Sequence, residues 1–564
     1  MHIILSLKKN LVFGIILFLL STTSGNAFLI KDQNNLYSSD YIKDYLYGSI
    51  LYADQQHNLA AKSFEKASKL QGRHYDYDVK KVISLTVNGN LDEAANIIIA
   101  TEKIYSNIFI IQFIKSIYYL KNKNLDKALF ELQNLKTNDP LINELKNNLI
   151  FWIDLDKKRN LSEKIIKNYK SNYTNITLIN QFLSSKYVQN NDLHKVYNKE
   201  ILNSQRFVRY QVLTAWNNVR EGNKKKALEL INSALINNNK NLLLMQSAID
   251  LKKNNKQFIN YFDPKNYDHN LSEIFYIFAN IFQQRGDHEF SEVLLSISLI
   301  FNDKFASNNL LHFENKLIFN RDYKFNYLFL GKIKNIGSEY KWYIDYKLAL
   351  YQKKNINNLE KSINTNNFFI KNKYLDLANY YRINEHYNLA LNYYKKIENL
   401  EANQNWNFYY FKGICHERLK QWSDAEKNLK KSISLSPKQY SVINYLAYSW
   451  LERKENIDEA TRMLEDAVKL SNWELGYIID SLGWAYFLKK DYDKAERLLK
   501  IAYEKTPSES EVYDHYGDAL WMQKKYLQAR YVWKNAMNLE NIQDKRKKKI
   551  ENKILNGLVN IEKN

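Results

Sequence analysis

Glycine and proline are scarce in this chain: 14 and 4 residues of 564, where ~7% and ~5% are usual. Strand-and-loop enzyme folds use glycine for tight turns and for close approach to phosphates, so these compositions argue against them. They point instead to helices joined by short turns. Cysteine is nearly absent as well. Cys415 is alone, so no intramolecular disulfide can form, and the expected role of its thiol is that of a small buried hydrophobe. No His-Glu-x-x-His pair occurs, since His416-Glu417 has no second histidine at the required spacing. Gly-x-Ser-x-Gly, a phosphate-cradling glycine loop and Cys-x-x-Cys are also missing. No metal, cofactor or catalytic residue is therefore expected.

The chain does have length and positive charge. At 564 residues it exceeds the ~250–300 residues that one core organises, so it must be several domains or an extended array. The net charge of +21 comes mostly from lysines spread along the sequence. Such dispersion does not read as a nucleic-acid footprint. The one dense run is Lys545-Arg546-Lys547-Lys548-Lys549.

Residues 1–27 have the three parts of a secretory signal peptide. Lys8 and Lys9 precede an apolar stretch, Leu11 to Leu20, and small residues flank a cut after Ala27 in Gly25-Asn26-Ala27. The apolar stretch is too short to span ~30 Å of hydrocarbon. No cysteine near the cut offers a lipid attachment point. Later segments never reach ~18 consecutive apolar residues, so no transmembrane segment is expected in the mature chain. These features predict export.

One alanine recurs. Ala60, Ala94 and Ala128 are 34 residues apart, and Ala390, Ala425, Ala460, Ala495 and Ala529 follow at 34 or 35, with Ala227 close to three periods after Ala128. Three residues before this alanine is a large apolar side chain: Leu91, Leu125, Tyr387, Trp422, Ile457, Tyr492 or Tyr526. Two before is often an acid, suited to a helix start. Four after stands Phe64, Leu132, Tyr394, Leu429, Leu464, Leu499 or Trp533, and seven after a small residue such as Ala67, Ala234, Ser432, Ala467, Ala502 or Ala536. Twelve or thirteen before is another small residue: Gly48, Ala378, Gly413, Ala447, Gly483 or Gly517. Pro140, Pro437 and Pro507 lie twelve after, where a proline ring ends the second helix. Small residues at fixed points let two helices approach, and the bulky residues are expected to fill the space between successive hairpins. Stacked hairpins then bury a core that none could bury alone.

This pattern resembles the tetratricopeptide repeat (TPR), most fully over 476–509, with Leu482-Gly483, Tyr486, Ala495, Leu499, Ala502 and Pro507. The stretches 481–486 and 514–521 resemble exported repeat proteins of proteobacteria. The resemblance implies an all-α solenoid. Its expected parts are N-terminal repeats over 28–140, divergent helical repeats or an inserted helical domain over 141–369, well-formed repeats over 370–540, and a basic terminal helix over 541–564. In that helix Ile550, Ile554, Leu558 and Ile561 form one apolar stripe. Capping of the last hairpin is its first expected role, and contact with an anionic lipid or partner through 545–549 its second.

The resemblance also implies that the first helix of each hairpin faces a concave groove. Carried over by position, the groove residues are Tyr410, Asn444, Tyr448, Asp480, Trp484, Phe487, Asp514, Asp518 and Trp521. This aromatic and acidic set lacks the basic clamp with which some repeats grip a carboxylate, and it suits a basic segment of a partner. The competing reading is that the acids cap local backbone and the tryptophans pack between repeats. By resemblance the chain is a periplasmic scaffold that binds envelope, secretion or assembly proteins. The alternative is an enzyme or enzyme subunit for cell-wall or polysaccharide substrates, with its site in the divergent middle. Export is checked by sequencing the N-terminus of the mature protein, where Phe28 is the expected first residue; Met1 there would exclude cleavage.

Overall fold

The computed structural model describes residues 39–105, 107–204, 207–254, 262–319, 327–352, 356–363, 368–539 and 542–558. The signal-peptide segment 1–27 and Ile561 lie outside the described residues. Among those described, the regular elements are α-helices with two short 3-10 turns, and consecutive helices pair as antiparallel hairpins. The chain forms two compact units, 1–354 and 355–564.

The second helices begin where the sequence places their first turn, at Leu91, Leu125, Tyr387, Trp422, Ile457, Tyr492 and Tyr526. Every recurrent alanine is fully buried, and so is nearly every bulky residue four positions on, from Phe64 to Trp533. The small residue seven positions on is buried at Ala67, Ser432, Ala467, Ala502 and Ala536 but only half-buried at Ala234.

The bulky residues reach the next hairpin, as expected, where Phe64 meets Tyr77 and Tyr394 meets Phe408 edge-on. Four of them also press into a glycine on the first helix of their own hairpin. A Cβ on Gly483 would lie 2.6 Å from Leu499 Cγ, and one on Gly517 would lie 2.2 Å from Trp533 Nε1. Gly48 with Phe64 and Gly413 with Leu429 repeat the arrangement. Pro437 and Pro507 fall two residues past helices ending at Leu435 and Lys505. Pro140 instead opens the next helix, with Asp139 capping it by accepting from the N–H groups of Leu141 and Ile142.

In the first unit the early hairpins pack against the much later pair Tyr267–Arg285 and His288–Phe301. Tyr52 Oη donates to Glu289 (2.8 Å), His57 sits 3.3 Å from Glu292, and Arg285 bonds Asp139 (2.7 Å). Phe290 meets Phe109 and Phe113 edge-on. One continuous core runs from Val82 to Phe301.

In the second unit the helices are numbered α1 Asn357–Ile363, α2 Ile370–Ile383, α3 Tyr387–Leu400, α4 Trp406–Arg418, α5 Trp422–Leu435, α6 Tyr440–Glu452, α7 Ile457–Leu470, α8 Gly476–Leu488, α9 Tyr492–Lys505, α10 Ser510–Met522, α11 Tyr526–Met537 and α12 Asp544–Asn556. Cys415, on α4, is fully buried, and burial pushes its thiol up to about 12, so no thiolate is available. The terminal helix α12 lies against the last hairpin. Ile550 is fully buried, and Ile554 and Leu558 pack on the core of α10 and α11.

The interlock makes a quantitative prediction. Gly483→Ala should cost about 1–3 kcal/mol by overpacking, and Leu499→Ala about 2–5 kcal/mol by leaving a cavity. Because the two side chains compete for one space, the double variant should lose less than the sum in thermal unfolding followed by circular dichroism. Simple additivity would refute the contact.

Candidate functional site

The first helices α4, α6, α8 and α10, together with α12, line a cleft of about 780 Å³. Hairpin stacking places these helices side by side, and their inward positions therefore share one surface.

Of the residues predicted for a groove, Trp484, Phe487, Asp514 and Asp518 line this cleft; Tyr410, Asn444, Tyr448, Asp480 and Trp521 do not. Tyr410 packs edge-on against Tyr445. Asn444 Oδ1 is buried with no hydrogen-bond partner among the described residues. Tyr448 Oη donates to Glu511 (2.9 Å), and burial, then the Glu511 charge, pushes its phenol far above its ordinary range. Trp521 is tucked against Trp533 and Tyr526 with the Arg530 guanidinium over its ring, so it serves the packing of the last hairpin.

The acids do not stand ready for a basic guest, which corrects the sequence expectation. Asp480 is buried and pairs with His515 at 3.0 Å. Asp514 and Asp518 share the ammonium of Lys553 from α12, at 2.5 and 2.7 Å. Glu511 takes the Arg546 guanidinium at 2.9 Å. The backbone-capping alternative does not describe them either: their partners are cations on the following first helix or on the terminal helix. A buried carboxylate without such a partner would be strongly unfavourable.

Protonation follows from these contacts. Burial alone would lower His515, but the Asp480 charge and hydrogen bond, with Glu511 and Asp514 nearby, raise it to about 9. The ring is therefore an imidazolium at neutral pH, and it stacks on Trp484 at 4.3 Å between centroids. Phe487 stacks on the same indole at 4.7 Å. Asp518 is pushed up to about 7 by burial, with Asp514 adding and Lys553 opposing. Glu511 is lowered: burial works against this, but the charges of His515 and Arg546 prevail. Lys553 is raised by Asp518 and Asp514 against burial.

Sequence reasoning missed Glu511, His515, Arg418, Arg546, Lys549 and Lys553 as parts of one site. The available signal was Lys553, three residues after Ile550 and so on the same side of a helix that had to dock.

In the first unit a smaller cavity of about 60 Å³ lies among Tyr210, Trp216, Phe262, Phe305 and neighbours. Among the described residues that line it Glu273 is the only carboxylate, and it is occupied by Arg209 and by Tyr210 Oη (2.5 Å). Among the described residues no carboxylate pair for glycoside hydrolysis converges there. Among the described residues no group of His, Cys, Asp and Glu could hold a metal ion, and no helix is long and apolar enough to cross a membrane.

Within each unit the described helices pair as successive hairpins, an all-α fold of the α-solenoid class that the resemblance to the TPR implied. No family profile matches it, and no curated protein is similar to it in sequence. Among solved structures it is similar to "MamA 41-end from Desulfovibrio magneticus RS-1", at 21% identity over 31% of this chain and 97% of that one, with a TM-score of 0.28. It is also similar to TTC0263, a thermophilic TPR protein of Thermus thermophilus, at 18% identity over 33% of this chain and 99% of that one, with a TM-score of 0.29. These likenesses cover about a third of the chain, and the fold stands on its own hairpin geometry.

The Asp480–His515 pair sets a pH dependence. The folded value of His515 lies above its ordinary 6.5, so its stabilising contribution is complete below about pH 6.5 and disappears as pH rises through about 9. Asp480, Glu511, Asp514 and the Trp484 ring all face this imidazole. Thermal unfolding between those limits should show a falling midpoint, and His515→Gln should flatten the fall. An equal slope in both proteins would refute the assignment.

Proposed function

We propose that this chain is a non-catalytic protein-interaction scaffold of the bacterial cell envelope, exported to the periplasm, and that it holds partner proteins in the cleft between α4, α6, α8, α10 and α12. One observation carries the proposal: four successive first helices and the terminal helix converge on a 780 Å³ cleft. A concavity of that size suits a segment of polypeptide. Its lining combines the half-buried Trp484 with lysines and arginines on the rim, a mixture of aromatic anchor and polar edge common at protein interfaces. Three of its four lining carboxylates, Glu511, Asp514 and Asp518, are tied to cations of the chain itself. The export pattern of residues 1–27 and the resemblance of 481–486 and 514–521 to exported repeat proteins support the compartment.

Photo-crosslinking amino acids placed in living cells test the scaffold role. Substitution at Leu488 or Asn552, inside the cleft, should trap a defined protein. The same group at Lys431 or Lys500, exposed on second helices α5 and α9, should not. Equal trapping at both sets, or none at either, would remove the cleft as the binding surface.

A further inference from the structure

The terminal helix contributes most of the cleft's positive charge. Lys545, Lys549 and Lys553 follow one another at four-residue spacing and all line the cleft, forming one stripe of about 12 Å along the helix. Arg418 and Lys454 face it from α4 and the turn after α6. The carboxylates do not balance these cations. Glu511 is taken by Arg546 and Tyr448, and Asp514 and Asp518 share Lys553. Arg418 pairs with Glu417 at 3.6 Å, and beyond those groups Lys545 and Lys549 stand in the lining with Glu452. Counted over the whole lining, seven cationic groups stand against four carboxylates, so the cleft is positive although its floor is built on aspartates.

We infer that the cleft receives an internal acidic segment of a protein partner, with side-chain carboxylates ranged along the Lys545–Lys549 edge of α12 and an apolar or aromatic residue against Trp484. This deepens the scaffold role and presupposes it. Charge complementarity selects the partner. In an extended segment, alternate side chains point the same way and recur every ~6.6 Å, so two or three carboxylates span the stripe. A single terminal carboxylate would meet only one of its cations. A bilayer of anionic lipid, the other partner suited to a basic helix, is flat and cannot enter a concavity. Lys547 and Lys548, which do not line the cleft, are the residues it would meet.

The test uses the full mature chain and a fluorescein-labelled octapeptide of alternating Glu and Gly carrying one Tyr, with both termini blocked. Fluorescence anisotropy should report saturable binding that weakens with salt. Lys545→Glu with Lys549→Glu should weaken it about tenfold or more, and Lys431→Glu with Lys500→Glu should leave it unchanged. Lys545 and Lys549 are exposed, so the folded state should survive, as unchanged thermal unfolding would show. Preference for the matching Lys-Gly peptide would overturn the inference. So would tighter attachment to phosphatidylglycerol vesicles that depends on Lys547 and Lys548. Loss of the acidic chemistry and loss of the scaffold role remain separable. If crosslinks form in the cleft but the glutamate peptide does not bind, the acidic partner is wrong and the scaffold stands.

Discussion

Four of the hairpins depend on one close approach. A small residue on the first helix leaves a dent, and the bulky side chain four positions after the recurrent alanine enters it. Gly483 with Leu499 and Gly517 with Trp533 show how tight the fit is. The alanine beside the contact keeps the two backbones near enough for it to form. Every larger feature follows from this spacing. It sets the angle at which hairpins stack, and so aligns the first helices into a surface. The cleft in the second unit is a consequence of that alignment, closed on one side by a helix that docks through Ile550.

The acidic floor and the basic rim of that cleft belong to one arrangement. Asp480, Asp514 and Asp518 are buried, and the chain supplies His515 and Lys553 as their partners. Their role is to bind the last repeats and the terminal helix together. What is left over at the surface is the lysine and arginine complement of α12 and its neighbours. A floor rich in aspartate thus lies beneath a positive field, because salt-bridged acids contribute little to the potential outside them.

The repeat architecture was legible wherever the dent is made by Gly or Ala and filled from an intact alanine register. It was least legible where the same geometry uses other residues. Gln189 has the left-handed backbone conformation that Gly89, Gly222 and Gly286 have in equivalent turns. Five residues after it, where alanine is expected, stands His194, buried and bonded to Ser185 at 3.2 Å. The hairpin over 174–203 is therefore regular in structure and hidden in sequence. Lys123, Lys420, Lys490 and Lys524 occupy the same turn position, so glycine content alone understates the number of turns. In the site, position along a first helix identified Trp484, Phe487, Asp514 and Asp518 as inward residues. It could not reveal that the acids were already paired, since their partners stand 35 and 39 residues further on.

The first unit departs from a simple stack. A linear array has only nearest-neighbour contacts, so its ends can open one hairpin at a time. Here His57 and Glu292 meet across 235 residues, and Tyr52 and Glu289 across 237. Joining the early hairpins to the late ones removes the free end at which opening would start. The whole segment must then come apart together, and it must find its partners across a long loop when it folds, which slows folding. Half of the chain is thereby made into a rigid body with the cooperativity of a globular domain, built from parts that elsewhere behave as a string.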